Sequence, residues 1–248
     1  MRRRARQLEL AAPPTWGGRR DGAGRKPASG RRRVPHRRRT PHDRHCPVHV
    51  TLRAREDLPA LRRDDVFGAV REAFIRVSRG GFRLLHFSVQ RDHLHLLVEA
   101  DGPTALRRGL QGLAIRVAKA INRTLGRRGK VFADRYHARA LPTPSEVRNA
   151  LVYVLQNVRK HVPGIRGLDP RSSAAWFTGW RTAVVTPSGL SPVVAARTWL
   201  ASTGWRRHGL LGVDEAPRPR LRNSTPPCPP PPAAPRSTPR GRPPRDPT

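Results

Sequence analysis

Acidic residues are scarce in this chain. Seventeen Asp and Glu stand against 50 Lys and Arg, leaving a formal net charge of +33 over 248 residues. An excess of that size repels itself in any compact state, so a polyanionic partner is its most direct explanation. Arg far outnumbers Lys, which suits planar, bidentate contact with phosphates and bases, although a GC-rich genome would give the same bias. Cysteine is nearly absent. Cys46 and Cys228 are far apart and match no zinc or redox spacing, which points to a reducing compartment. Long apolar runs are missing too: none approaches bilayer length, and the basic N-terminus is not followed by the apolar segment of a signal peptide. The expectation is a bacterial cytoplasmic protein, nucleoid-associated and without a membrane partner. Tyrosine occurs only at Tyr136 and Tyr153, which leaves two candidates for any chemistry that needs a phenol.

What is present divides the chain into four. Residues 1–44 carry 15 Lys/Arg against 3 acids among Gly and Pro, too little apolar surface to offset ordering entropy, and read as a disordered basic arm. Gly22 to Pro27 loosely resembles the short Gly-Arg-Pro tracts that enter a DNA minor groove, with plain electrostatic attachment as the alternative. Residues 45–165 hold the periodic segments. Val48 to Arg53 predicts a strand, Asp64 or Asp65 caps a helix through Val66, Val70, Phe74 and Val77, and Phe82 to Val89 predicts a second strand. Gln90-Arg91-Asp92 is short enough for a hairpin turn into a third strand carrying His93 and His95. Pro103 starts a long helix with Leu106, Leu110, Leu113, Val117, Ile121 and Leu125 inward. Gly129 to Leu141 is the fourth strand candidate, stopped by Pro142 and Pro144, and Thr143 or Ser145 caps a third helix from Glu146 to about His161. The first six elements give βαββαβ, an α+β fold of the ferredoxin-like type with both helices on one face, and the third helix follows as an addition. Residues 166–216 form an extension with Trp176, Trp180, Trp199 and Trp205, which dock it onto the domain or stack on unpaired bases, and with one short helix from Ser191 to about Leu200. Residues 217–248 are Pro- and Arg-rich and read as a disordered tail.

On a strand, His93 and His95 leave one face while Leu94, Leu96 and Val98 leave the other. Two imidazoles side by side suit a divalent metal with coordination positions left open; two half-exposed histidines on a hairpin strand are the plainer alternative. In the third helix Val147, Ala150, Leu151, Val154, Leu155 and Val158 form the buried stripe. Tyr153 and Asn157, four residues apart, stack on its shoulder, while Gln156 points away from the core. A phenol and a carboxamide then stand at the border between helix and sheet. On the second helix, Arg107, Arg108, Arg116, Lys119 and Arg123 make either a solvated basic face or a phosphate-tracking one, and Arg135 and Arg139 add basic groups near the fourth strand.

The region from about 45 to 162 resembles the single-tyrosine transposases of small insertion sequences that move as single strands, and more closely their REP-associated relatives, within the His-hydrophobic-His (HUH) nucleases. The resemblance is carried by Val48-His49-Val50-Thr51-Leu52-Arg53, His93-Leu94-His95-Leu96-Leu97-Val98, Gly129-Lys130-Val131-Phe132 through Arg135-Tyr136-His137, and Tyr153-Val154-Leu155-Gln156-Asn157. It implies a HUH nuclease fold in which His93 and His95 bind Mg²⁺ or Mn²⁺, Asn157 is the third ligand and Tyr153 is the nucleophile. The implied partner is single-stranded or hairpin DNA, cut and rejoined through a 5′-phosphotyrosine. A homodimer that exchanges tyrosine helices is an open arrangement. Tyr136 is the rival nucleophile, His137 and His161 are further potential ligands, and Asp134 and Glu99 could complete the coordination or orient a histidine. A domesticated DNA- or RNA-binding protein that keeps the fold without turnover is the alternative function.

Overall fold

The computed structural model describes residues 41–160 and 166–217. The basic arm up to residue 40, His161 and the Pro-rich tail from 218 lie outside the described residues. Four strands, β1 (Val48–Arg53), β2 (Phe82–Val89), β3 (His93–Ala100) and β4 (His137–Ala140), form one antiparallel sheet in the order β2-β3-β1-β4. Helices α1 (Asp64–Ile75) and α2 (Pro103–Thr124) follow β1 and β3, completing the α+β, βαββαβ arrangement. The two-residue period of β1 and β3 explains the layering. Val48, Val50, Leu52, Leu94, Leu96 and Val98 are all buried and pack with Val66, Val70 and Phe74 of α1 and Leu110, Leu113, Val117 and Ile121 of α2. The alternate residues His49, Thr51, His93 and His95 therefore face the other way.

That second face is covered by α3 (Pro144–Leu155) and the extension. Leu85 and Leu97 of the sheet, Val147, Leu151 and Leu155 of α3, and Phe177, Trp180, Trp205 and Leu211 of the extension share one core. Leu84 and Leu85, as strand neighbours, point to opposite cores, and a bulge between Leu84 and His86 then adds one residue, so that Phe87 rather than His86 returns to the α1–α2 layer. The extension also lines the free edge of β2: Arg171 O accepts from Val89 N at 2.8 Å and Ser173 N donates to Phe87 O at 2.9 Å, so that edge is not left as a template for pairing. A bidentate ion pair from Arg62 to the buried Asp169, at 2.8 and 3.0 Å, fixes its start.

Four expectations change. α1 is preceded by Arg63 as cap residue with no side-chain cap, and Asp64 and Asp65 lie inside the first turn, where their charge complements the helix dipole. The fourth strand shrinks to His137–Ala140, because Lys130 to Tyr136 turns irregularly after Gly129 and meets the end of β1 and the residues after it at an Ala54–Phe132 bridge, flanked by bonds from Ala133 N to Arg53 O and from Arg55 N to Val131 O at 2.9 Å each. α3 is capped by Thr143, which accepts from Glu146 N at 3.2 Å, but ends at Leu155, and Asn157–Lys160 continues as a 3₁₀ turn. The helix expected from Ser191 is absent, leaving only α4 (Trp199–Ser202). Its chain is held instead by tertiary bonds, with Val194 N donating to Leu84 O at 3.0 Å and the Glu99 carboxylate accepting from Arg197 N and Thr198 N at 2.8 and 2.9 Å. Among the described residues no helix is long and apolar enough to cross a membrane.

Candidate active site

β3 delivers two imidazoles and β1 a third. His93 Nε2 and His95 Nε2 are 2.9 Å apart, with ring centroids 4.6 Å apart and nearly perpendicular. The register pairs Thr51 with His95 and His49 with Leu97, which places His49 diagonally across from His95. The His49 ring is buried, 5.3 Å from His95. From the other side α3 presents Tyr153, whose ring meets His95 edge-on at 4.9 Å and His49 at 5.5 Å. Three rings from two strands and one from a helix thus meet at the border between sheet and α3.

Hydrogen bonding constrains how the pair can be used. Asp92, in the β2–β3 turn, accepts from His93 Nδ1 at 2.7 Å. A carboxylate only accepts, so Nδ1 carries a proton whether the ring is charged or neutral, and in the neutral ring Nε2 is the nitrogen left with the lone pair. Asp92 is held ionised. Burial alone would raise its carboxyl, but the His93 hydrogen bond and the charges of His93 and Arg53 outweigh it and leave the pKa below the usual carboxylate value. Thr51 Oγ1 lies 3.2 Å from His95 Nδ1. If that hydroxyl donates, His95 Nε2–H donates in turn to His93. If it accepts, two lone pairs face one another at 2.9 Å, a contact that calls for a cation between them. Two nitrogens at about 3 Å is the spacing of adjacent ligands on an ion bound at about 2.1 Å.

Asn157 adds a second anomaly. It is fully buried, and neither its amide nitrogen nor its amide oxygen has a hydrogen-bond partner. A buried amide in that condition costs about 1–3 kcal/mol, so it ordinarily signals a missing ligand or water. Gln156, expected to point away from the core, is instead fully buried, and its amide donates to Val213 O of the extension at 2.5 Å. Among the described residues no group of three or more His, Cys, Asp or Glu is arranged to hold a metal ion.

The other candidates are spread more widely. Tyr136 packs against the α1–α2 core, on the opposite side of the sheet from the imidazoles. Arg107, Arg108, Lys119 and Arg123 are exposed and Arg116 is half-buried on α2, which also belongs to that opposite layer. Arg139 is in register with His49 and ion-paired to Glu146 of α3, whereas Arg135 is exposed in the segment before β4. His137, exposed on β4, is in register with Thr51. Asp134 caps Arg135 N at 2.7 Å, and Glu99 is committed to Arg197 and Thr198. His49 and Asp92 are the site residues that sequence reasoning overlooked. Val-His-Val-Thr alternation in β1 was the available signal for His49, since it sets the histidine on the face opposite the valines.

No family model matches the sequence, and no curated protein matches it. Among solved structures, the chain is similar to a REP-associated tyrosine transposase bound to a REP hairpin, at 16% identity and TM-score 0.48 over 66% of this chain and 100% of that one. A transposase candidate from Deinococcus radiodurans R1 gives 15% and 0.35 over 52% of this chain and 97% of that one. A bacterial tRNA(His) guanylyltransferase-like protein in complex with ATP gives 16% and 0.37 over 50% and 62%. With scores below 0.5 and identities below 20%, these likenesses establish neither family nor chemistry for this chain.

Proposed function

We propose that this protein cleaves and rejoins single-stranded DNA, hairpin-bearing strands in particular, by transesterification with Tyr153 as nucleophile. The observation that supports it best is the meeting of the His93–His95 pair with the Tyr153 ring, brought together from β3 and α3. The resemblance of residues 45–162 to single-tyrosine transposases points the same way.

A phenol has a pKa near 10 and attacks poorly at neutral pH. Mg²⁺ or Mn²⁺, held by His93 and His95 with Asn157 as the third ligand, would supply charge neutralisation to a scissile phosphate. Asp92 keeps His93 Nε2 bare for that role, and Thr51 does the same for His95 when it accepts from Nδ1. Tyr153, gripped edge-on by His49 and His95, starts close to where the phosphate would lie. Its oxygen forms a bond to phosphorus as the bond from phosphorus to the 3′ oxygen breaks, giving a 5′-phosphotyrosine and a free 3′-hydroxyl. One phosphodiester replaces another, so the 3′-hydroxyl of a second strand can reverse the step without ATP.

The test is covalent capture. A labelled hairpin-bearing single strand incubated with the protein and Mg²⁺ or Mn²⁺ should give an adduct that survives denaturant, and EDTA should abolish it. Tyr153→Phe should give none, while Tyr136→Phe should give as much as the parent. An adduct that persists in Tyr153→Phe moves the nucleophile to Tyr136. Absence of any adduct despite tight binding leaves a protein that binds structured single strands without turning them over.

A further inference from the structure

The extension carries a surface that the site chemistry does not use. Between residues 197 and 208 lie Arg197, Arg206, Arg207 and His208, all exposed, with no acidic residue among them. Asp214 and Glu215, which follow, are taken up by Arg159 and Arg148 at 2.7 Å each. In the middle stands Trp199, 48% exposed, an unusual condition for an indole on an ordered element. It is not loose. Gly204 presses on its six-membered ring so closely that a Cβ there would lie 2.8 Å from Cζ3, and the Arg207 guanidinium covers it at 4.7 Å from the ring centroid. The preceding arginine repeats the device, with Arg206 set 4.8 Å over the buried Trp205.

Two consecutive guanidinium groups are thus planted on indole rings with their outer surfaces toward solvent. Stacking lowers the rotamer entropy that each arginine still has to lose on binding. An exposed guanidinium plane on an aromatic is a stacking partner for a nucleobase, and arginines beside it suit the phosphates on either side. The base must be unpaired, because in a duplex its faces are already occupied by neighbouring bases. We propose that the surface of Trp199, Arg206 and Arg207 is a binding shelf for single-stranded nucleic acid, in which one unpaired base stacks on the Arg207–Trp199 pair. The shelf is coupled to α3, since Arg148 of that helix holds Gly209 O at 3.0 Å and the Glu215 carboxylate at 2.7 Å. A strand seated there is attached to the same helix that carries Tyr153.

The test uses the full chain in EDTA, so its outcome does not depend on a metal or on Tyr153. Anisotropy of a labelled oligothymidylate, and of its duplex with oligoadenylate, is followed at raised salt to suppress the charge contribution of the termini. Trp199→Ala should weaken single-strand binding about five- to hundredfold and leave duplex binding unchanged. Arg207→Gln should weaken it as well and make the slope of log affinity against log salt shallower by about 0.7. If Trp199→Ala melts early, Trp199→Phe and Trp199→Leu replace it, since both fill space and only Phe stacks; Phe should then bind better. Equal affinity of Phe and Leu variants, an unchanged Trp199→Ala, or equal losses on single strand and duplex would each overturn the shelf.

Discussion

Asp92 decides how His93 can be used. An acceptor-only carboxylate at 2.7 Å fixes the Nδ1 tautomer, and Arg53, 2.9 Å from its other oxygen, keeps that carboxylate in place. An asparagine would preserve size and a hydrogen bond while losing that directionality, because its NH₂ can donate to Nδ1 and drive the proton to Nε2. Asp92→Asn is therefore expected to weaken Mn²⁺ binding by about ten- to hundredfold with little change in melting temperature, as read by calorimetric titration without DNA. Equal affinity would detach Asp92 from the metal reading. The side-by-side placement of His93 and His95 was legible from alternation along one strand, and the position of Tyr153 at the border of α3 and the sheet from helical spacing. Asp92 read only as a turn residue and His49 only as part of a strand, because their roles depend on cross-strand register and on which way a hairpin carboxylate folds back.

At the scale of elements, local periodicity carried far where one chain segment decides its own structure. β1, β3 and α2 follow directly from periods of two and 3.6 residues. It failed where a distant group captured the backbone: the Glu99 carboxylate takes the amides of Arg197 and Thr198 that the expected Ser191 helix would have used. Gly109 shows the same contest within α2. Glycine inside a helix normally costs about 1 kcal/mol relative to alanine, so Gly109→Ala would ordinarily stabilise. Here a Cβ would be driven into the Phe82 ring, against Cγ, Cδ2 and Cβ, and Phe82 is itself buried in the core. Overpacking of this kind costs about 1–3 kcal/mol. The expected outcome is a lower urea midpoint for Gly109→Ala, and a loss in the Gly109→Ala, Phe82→Ala double variant that is smaller than the sum of the two single losses, because Phe82→Ala removes Cγ and Cδ2. A raised midpoint would mean that α2 can lift off the sheet more easily than its packing suggests.

Across the whole molecule, the extension and the sheet are one cooperative body because Trp180, Trp205 and Phe177 complete a core begun by Leu85, Leu97 and α3. His86 lies at that junction. It sits at the β2 bulge with Nδ1 3.2 Å from Ser173 Oγ and its ring 5.2 Å from Phe177. Burial disfavours its charged form and pulls the pKa down to about 3, from an ordinary 6.5. Between those values the unfolded chain binds a proton at this position and the folded chain does not. Stability therefore falls as pH drops from about 6.5 toward 3, at up to about 1.4 kcal/mol per pH unit for one proton. Carboxylates also lose favourable contacts in acid, but chiefly below pH 5, and the other histidines are common to parent and variant, so between pH 7 and 5 the difference between the two reports on His86. His86→Gln keeps a polar partner for Ser173 and cannot titrate. Its urea midpoint should decline less than the parent's between pH 7 and 5, and the two should converge as acid charges the parent's unfolded state. Parallel curves across that window would show that His86 gains its proton without opening the contact between sheet and extension.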